Sequence, residues 1–269
     1  MAPAPLRPLH GHPPGADRPR LSVVVPAYGE ERRIAATVAT LRAALAPPSE
    51  AGTVEVIVVD DGSRDETARR AAEAGADQVI RLPVNRGKGA AVRAGVLGAH
   101  GSTIVFTDAD LSYPPAQVLR LRDEVECGWD VVVGSRKHVG TRTLVRSGRL
   151  RELSGRVFNL FARTVLERPF SDTQCGLKGF HRDAAHRLFG LAVIDGFAFD
   201  VELLWLAERL GLATEEVPVE LASAEGSTVR LSVDALRMLR DLIGLRRRAR
   251  AGAYGPPAVP EAGSVEVGD

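Results

Sequence analysis

Ser102-Thr103-Ile104-Val105-Phe106-Thr107-Asp108-Ala109-Asp110 reads as a buried strand that ends abruptly in two carboxylates one residue apart. Alternate residues leaving a strand point the same way, so Asp108 and Asp110 are set to converge. Two carboxylates held that close repel, and one keeps its proton unless a cation sits between them. A hard divalent ion with oxygen ligands, Mg²⁺ or Mn²⁺, answers that conflict, particularly when diphosphate oxygens complete its shell. The competing reading is a solvated Asp-rich turn capping the helix that starts near Pro114. The rest of the chain has to decide between them.

Outward from this stretch the pattern alternates. Strands are expected at Leu21–Val25, Val54–Val59, Gln78–Leu82, Thr103–Thr107 and Val131–Val133, with helices at Glu30–Leu45, Asp65–Ala74, Lys88–Ala99 and Pro115–Glu126 between them. Short Val/Ile runs separated by helix-length segments mean βαβ units and a parallel sheet covered on both faces. In such sheets ligands sit at the carboxyl ends of the strands, where strand order switches. The polar clusters fall there: Pro26-Ala27-Tyr28-Gly29-Glu30, Asp60-Asp61-Gly62-Ser63, Asn85-Arg86-Gly87-Lys88-Gly89 and Asp108-Ala109-Asp110.

After Gly134 the alternation stops. Ser135-Arg136-Lys137-His138 and then Arg142, Arg146, Arg149 and Arg151 form a basic connection, followed by a helix expected at 153–166 and the irregular Asp172-Thr173-Gln174-Cys175-Gly176. Phe197-Ala198-Phe199-Asp200-Val201-Glu202 opens another helix, Thr214–Leu221 reads as a strand, and Val233–Arg250 reads as an amphipathic helix ringed by arginines. Residues 1–20 and 251–269, rich in Pro and Gly, read as disordered ends. The expected organisation is therefore a catalytic domain over 21–231 and a basic amphipathic helix over 232–250.

Composition sets limits. At 269 residues the chain buries a substantial core, and 45% hydrophobic with 26% charged residues is ordinary for a globular protein. A net charge of +1 gives no pointer to nucleic acid. Two cysteines, Cys127 and Cys175, build no disulfide framework, so a reducing cytoplasmic compartment is expected. Neither a signal-peptide core nor a membrane-length apolar run is visible, so any membrane contact is expected to be peripheral.

Gly87-Lys88-Gly89 at a helix start offers a cation and exposed N–H groups to a diphosphate. It is not a dinucleotide fingerprint, because Val92 occupies the position that would need Gly or Ala. Asp60-Asp61 also suits a phosphoacceptor receiver domain, but such a module leaves the basic second half unexplained. A sugar-nucleotide pyrophosphorylase would open with a Gly-rich loop where this chain has Pro26-Ala27-Tyr28.

Val25-Pro26-Ala27-Tyr28-Gly29-Glu30, Val59-Asp60-Asp61-Gly62-Ser63-Arg64-Asp65, the stretch from Asn85 to Gly95, Asp108-Ala109-Asp110 and Gly134-Ser135-Arg136 resemble the ordered motifs of family 2 glycosyltransferases with the GT-A, Rossmann-like fold. Asp172-Thr173-Gln174-Cys175-Gly176-Leu177-Lys178-Gly179-Phe180 and Phe197-Ala198-Phe199-Asp200-Val201-Glu202-Leu203-Leu204 are similar to the dolichyl-phosphate β-glucosyltransferase branch, related to dolichyl-phosphate mannose synthases. The resemblance implies that Pro26, Tyr28, Glu30 and Asp60 line the nucleoside site. It places Lys88 near the nucleotide, Asp108 near ribose and metal, and Asp110 on the metal, Mg²⁺ or Mn²⁺. Arg136 and Arg151 would hold the acceptor phosphate, and Asp172, Gln174, Asp200 and Glu202 would border sugar and acceptor. The implied activity is metal-dependent, inverting transfer of glucose from UDP-glucose to a polyprenyl monophosphate at the cytoplasmic face of a membrane. GDP-mannose as donor, a soluble hydroxyl acceptor and a non-catalytic sugar-nucleotide-binding module are the alternatives.

The chain departs from the mannose synthases in places. Ser112 stands where they often carry Gln, Ser154 lies three residues after Arg151 instead of four, and Gly226-Ser227-Thr228 lacks the lysine of relatives. Asp200 and Glu202 are open to two readings, a base for a hydroxyl acceptor or first-turn acids favoured by the helix dipole.

Overall fold

The computed structural model describes residues 18–45, 53–138, 140–143, 166, 170–221 and 231–254, with only the backbone for 142–143 and 231–236. Among these residues the strands are β1 (Leu21–Ala27), β2 (Val54–Asp60), β3 (Gln78–Arg81), β4 (Thr103–Phe106), β5 (Val131–Ser135), β6 (Arg142–Thr143), β7 (Lys178–His181), β8 (Thr214–Pro218) and β9 (Glu220–Leu221). The helices are α1 (Ile34–Leu45), α2 (Thr67–Glu73), α3 (Lys88–Gly98), α4 (Pro115–Glu126), α5 (Arg182–Leu191), α6 (Phe199–Arg209) and α7 (Leu231–Arg250). The helix expected at 153–166 lies outside the described residues, apart from buried Leu166.

The seven-stranded main sheet has the order β3-β2-β1-β4-β7-β5-β8, and β6 pairs with β9 separately. Its strands are parallel except β7, which runs against both β4 and β5. The expected mostly parallel α/β sheet is therefore present. The antiparallel strand was not legible, because Lys178-Gly179-Phe180-His181 has no β-branched run and becomes a strand by filling the gap between two neighbours. Helix α5 was not foreseen either.

Central strands are apolar on both faces, as a sheet covered by helices requires. On one face Val24, Ile57 and Val59 pack with Val92 and Val96 of α3, Leu188 of α5 and Leu203 of α6. On the other, Val23, Val25 and Val58 meet Val38 and Leu41 of α1 and Val118 and Leu121 of α4. Pro26 is tolerated inside β1 because it lies past Val24–Phe106, the last β1–β4 pair, where its missing N–H interrupts no ladder.

The C-terminal helix packs inward. Met238, Leu242 and Leu245 of α7 are buried in the first cluster, while Ile243 is exposed along with Arg237, Arg240, Arg246, Arg247 and Arg250. The apolar stripe seen in the sequence is thus largely spent on the core. Residues 251–254, assigned by composition to the tail, turn back so that Tyr254 is 6% exposed and meets Trp205 edge-on at 5.1 Å.

Candidate active site

Strand order reverses between β1 and β4, so the crevice beyond their carboxyl ends is where this topology opens a ligand site. Asp108 and Asp110 leave β4 there. The turn they form is tied from several sides: Thr37 Oγ1 donates to Ala109 O at 2.6 Å, Leu111 N to Asp108 O at 3.1 Å and Ser112 N to Asp110 Oδ1 at 2.9 Å. Leu111 has φ of 47°, among the described residues the non-glycine in left-handed backbone, and such strain marks sites where geometry is imposed. The turn does not cap α4, whose N-cap is Pro114 without a side-chain cap hydrogen bond. The solvated capping reading therefore loses its support.

On the side of β1, β2 and β3, Lys88 at the first position of α3 places Nζ 2.5 Å from Asp108 Oδ1. Burial opposes its charge, but Asp108 and then Asp200 raise its pKa above the ordinary lysine range. Asp61 holds the turn that precedes Lys88, accepting from Arg86 N and Gly87 N at 2.8 Å each. Asp60 is fully buried at the end of β2; its Oδ1 accepts from Ser63 N at 2.9 Å, whereas Oδ2 accepts no hydrogen bond and has Arg81 Nε at 3.3 Å. Beside Asp60, Gly62, Ser63, Arg81, Leu82 and Pro83 line a cleft of about 360 Å³. Tyr28 is 52% exposed at the end of β1. Glu30 pairs with Arg33 at 2.8 Å, yet burial, together with Asp110, Asp65 and Asp108, raises its pKa.

Across the edge, Arg136 follows β5. Its Nε and Nη2 donate to Asp172 at 2.6 and 2.9 Å and its backbone N at 3.1 Å. Asp172 is buried; desolvation alone would raise its pKa, but the bidentate Arg136 outweighs it and the carboxyl sits below the usual range. Gln174 N also donates to Asp172, at 3.3 Å. Lys178, the first residue of β7, is wholly buried and donates to Asp200 Oδ1 at 2.6 Å and to Cys175 O at 2.7 Å. Burial raises the pKa of Asp200 in spite of Lys178 and Lys88. Gly176 packs directly on Asp108: a Cβ there would fall 2.0 Å from Asp108 Oδ2.

A family profile described as Glycosyl transferase family 2 matches residues 22–189, more than half of the chain. The chain belongs to glycosyltransferase family 2. It is 37% identical over 250 residues to the dolichyl-phosphate beta-glucosyltransferase of Drosophila melanogaster, covering 87% of this chain and 76% of the relative. The human enzyme of the same name is 34% identical over 250 residues, covering 87% and 77%. Among solved structures, glucosyl-3-phosphoglycerate synthase from Mycobacterium tuberculosis in complex with Mn²⁺, UDP and phosphoglyceric acid superposes with a TM-score of 0.63 at 26% identity, covering 90% of this chain and 81% of that one. The same protein with Mg²⁺ and UDP gives a TM-score of 0.62 at 26% identity, covering 90% and 82%.

In this glycosyltransferase the residues singled out in the sequence separate into groups. Pro26, Tyr28, Glu30, Asp60, Lys88, Asp108 and Asp110 stand on adjoining strand ends, and Arg136, Asp172 and Gln174 form one connected group around a buried carboxylate. Asp200 belongs to the buried Lys178 pair. Glu202 is elsewhere: fully buried, it accepts from Val193 N at 3.0 Å, Ile194 N at 2.7 Å and Tyr254 OH at 2.6 Å. Arg151 lies outside the described residues. Asp61, Gly176, Lys178 and Tyr254 were missed as supporting residues. Asp61, Gly176 and Lys178 lie within the motifs that carry the family resemblance, whereas Tyr254 gives no local signal beyond an aromatic in a Pro/Gly-rich run.

The donor set of Asp108 and Asp110 is all carboxylate oxygen, which suits a hard divalent cation. Among the described residues no group of three or more His, Cys, Asp or Glu side chains is arranged to hold a metal. Two carboxylates with the remaining positions left to phosphate oxygens and water is how Mg²⁺ is commonly held, and the residues fit that arrangement.

Proposed function

We propose that this glycosyltransferase moves glucose from UDP-glucose to a polyprenyl monophosphate with inversion at the anomeric carbon, at the cytoplasmic face of a membrane. One observation carries the choice of acceptor. Neither acidic side chain of α6 faces an acceptor freely: Asp200 is buried with Oδ1 held by Lys178, and Glu202 is taken up by two amides and a phenol. A hydroxyl acceptor needs a base to remove its proton. A phosphate monoester, with a second pKa near ~6, is largely a dianion at neutral pH and needs cations instead. The names of the relatives and the UDP complexes of the solved neighbours support the same reading.

The chain's own groups then divide the work. Asp60 and the neighbouring cleft receive the nucleobase, with Oδ2, which accepts no hydrogen bond and faces Arg81 Nε at 3.3 Å, as acceptor. Lys88 and the Gly87 turn approach the diphosphate, and Arg136, held rigid by Asp172, offers its guanidinium to the acceptor phosphate. Asp108 and Asp110 would hold Mg²⁺ or Mn²⁺, which when bound offsets charge on the departing diphosphate. Contact with an anionic bilayer falls to the exposed arginines of α7, since its apolar side is packed and no described helix is long and apolar enough to cross a membrane.

Transfer is tested by incubating purified protein with UDP-glucose or GDP-mannose and a short polyprenyl phosphate. Sugar-lipid product from UDP-glucose is expected, together with thermal stabilisation by UDP and not GDP. Product from GDP-mannose alone would reverse the choice of donor, and transfer to 3-phosphoglycerate in place of lipid phosphate would favour a soluble acceptor of the kind that glucosyl-3-phosphoglycerate synthase is named for.

A further inference from the structure

The loop 192–195, the first part of the 192–198 connection between α5 and α6, lies beneath the turn that presents Lys88. Asp195 O accepts from Ala90 N at 3.2 Å, and the Asp195 carboxylate accepts from Arg86 at 2.9 and 3.2 Å and pairs with Arg93. Arg93 also donates to Ala192 O at 3.2 Å. The approach is so close that a Cβ at Gly87 would stand 2.6 Å from Asp195 O, and one at Gly89 2.6 Å from Ile194 O. The turn is therefore clamped between Asp61 on one side and this loop on the other.

The loop in turn hangs on Glu202. Its Oε2 gathers the amides of Val193 and Ile194, and its Oε1 takes the hydroxyl of Tyr254, which also accepts from Arg248 Nε at 3.3 Å. Asp241 of α7 borders the same loop, its Oδ2 being 3.3 Å from where a Cβ on Gly196 would stand. We infer that Glu202 and Tyr254 are positioning residues for the donor site: the turn after α7 fixes the 192–195 loop, and that loop sets where Lys88 and the Gly87–Gly89 amides meet the donor's diphosphate. A carboxylate that accepts two backbone amides and a phenol in a buried position stiffens its surroundings, and losing one partner leaves a desolvated oxygen. The ligand named here rests on the donor reading above.

The test uses the full chain and four proteins: wild type, Tyr254→Phe, Glu202→Gln and Glu202→Ala. UDP with Mg²⁺ is the titrant, initial rates with UDP-glucose give KM and kcat, and amide hydrogen exchange reports on Ile194 and Ala90. Tyr254→Phe keeps the ring on Trp205 and removes only the hydroxyl; it is expected to weaken UDP and raise KM about tenfold with kcat nearly unchanged. Exchange at Ile194 and Ala90 is expected to accelerate with it. Glu202→Gln retains an oxygen for the amides and can donate to the Tyr254 oxygen, so it should keep wild-type kcat, whereas Glu202→Ala should match or exceed Tyr254→Phe. A Tyr254→Phe protein that is less stable but binds UDP normally, with Ala90 exchange unchanged, would overturn the inference. So would loss of kcat in Glu202→Gln at normal UDP affinity, which would make Glu202 a base. If Glu202→Ala fails to fold, Tyr254→Phe decides alone. Absence of UDP binding in wild type would count against the donor reading, while the exchange comparison would still decide the positional link.

Discussion

Asp110 and Gly176 show how much of this site rests on single atoms. Asp110 has one oxygen engaged by Ser112 N, and the change to Asn keeps the shape while removing the charge. Asp110→Asn is expected to cut transfer by about 10²–10³-fold without shifting the unfolding midpoint, measured by product formation across a Mg²⁺ titration. Full activity of the wild type in chelator would remove the metal from the proposal. Gly176 is a different case, because its missing side chain is what lets Asp108 occupy its place. Gly176→Ala is expected to abolish transfer by displacing the Asp108 carboxylate; unchanged kcat would show that Asp108 has no fixed position to lose. The Asp108 and Asp110 pair was legible from its spacing and its place after an apolar run. Gly176 was not, since nothing local in Gln174-Cys175-Gly176 announces a contact with a residue sixty-eight positions earlier.

At the scale of elements, the readable part of the chain is the part built by local pattern. Val-rich runs and helix-length spacers gave β1 to β5 and α1 to α4 to within a few residues, with α1 starting at Ile34 because Glu30 and Arg33 are used in a turn. Strand β7 escaped because its conformation comes from its neighbours. Its buried Lys178 also makes it costly to disturb. Removing one member of a buried ion pair leaves an uncompensated charge, a loss of about 3–5 kcal/mol. Lys178→Met is therefore expected to lower the unfolding midpoint by roughly 10 °C, and adding Asp200→Asn should recover most of that loss. A double variant no more stable than the single would mean that Asp200 and Lys178 are not energetically coupled. In the sequence Asp200 and Glu202 looked alike, two acids at one helix start. The structure gives one to a lysine 22 positions away and the other to the amides of Val193 and Ile194 and the hydroxyl of Tyr254, 9, 8 and 52 positions away.

On the whole molecule, charge distribution matters more than the sum. The formal net charge of +1 conceals a basic surface on α7, where Arg237, Arg240, Arg246, Arg247 and Arg250 are exposed. Each arginine near an anionic bilayer contributes ~1 kcal/mol of attraction, and the attraction is screened by salt. Flotation with phosphatidylserine-containing vesicles at low salt is expected to carry the protein upward, and Arg240→Glu with Arg247→Glu and Arg250→Glu should leave it at the bottom. Equal flotation of the two proteins would take α7 out of the membrane reading.

Because β7 enters the sheet from the edge where its neighbours leave it, the segment just before Lys178 is anchored at its far end by the pairs Phe106–Lys178 and Val133–Lys178. The stretch from 171 to 177 is held at its near end as well, where Glu216 accepts from the amides of Ser171 and Asp172, and between the two ends Asp172 grips Arg136 and Gly176 abuts Asp108. An insertion or deletion in this segment would therefore move Asp108 and Arg136 together, coupling the two sides of the crevice through seven residues.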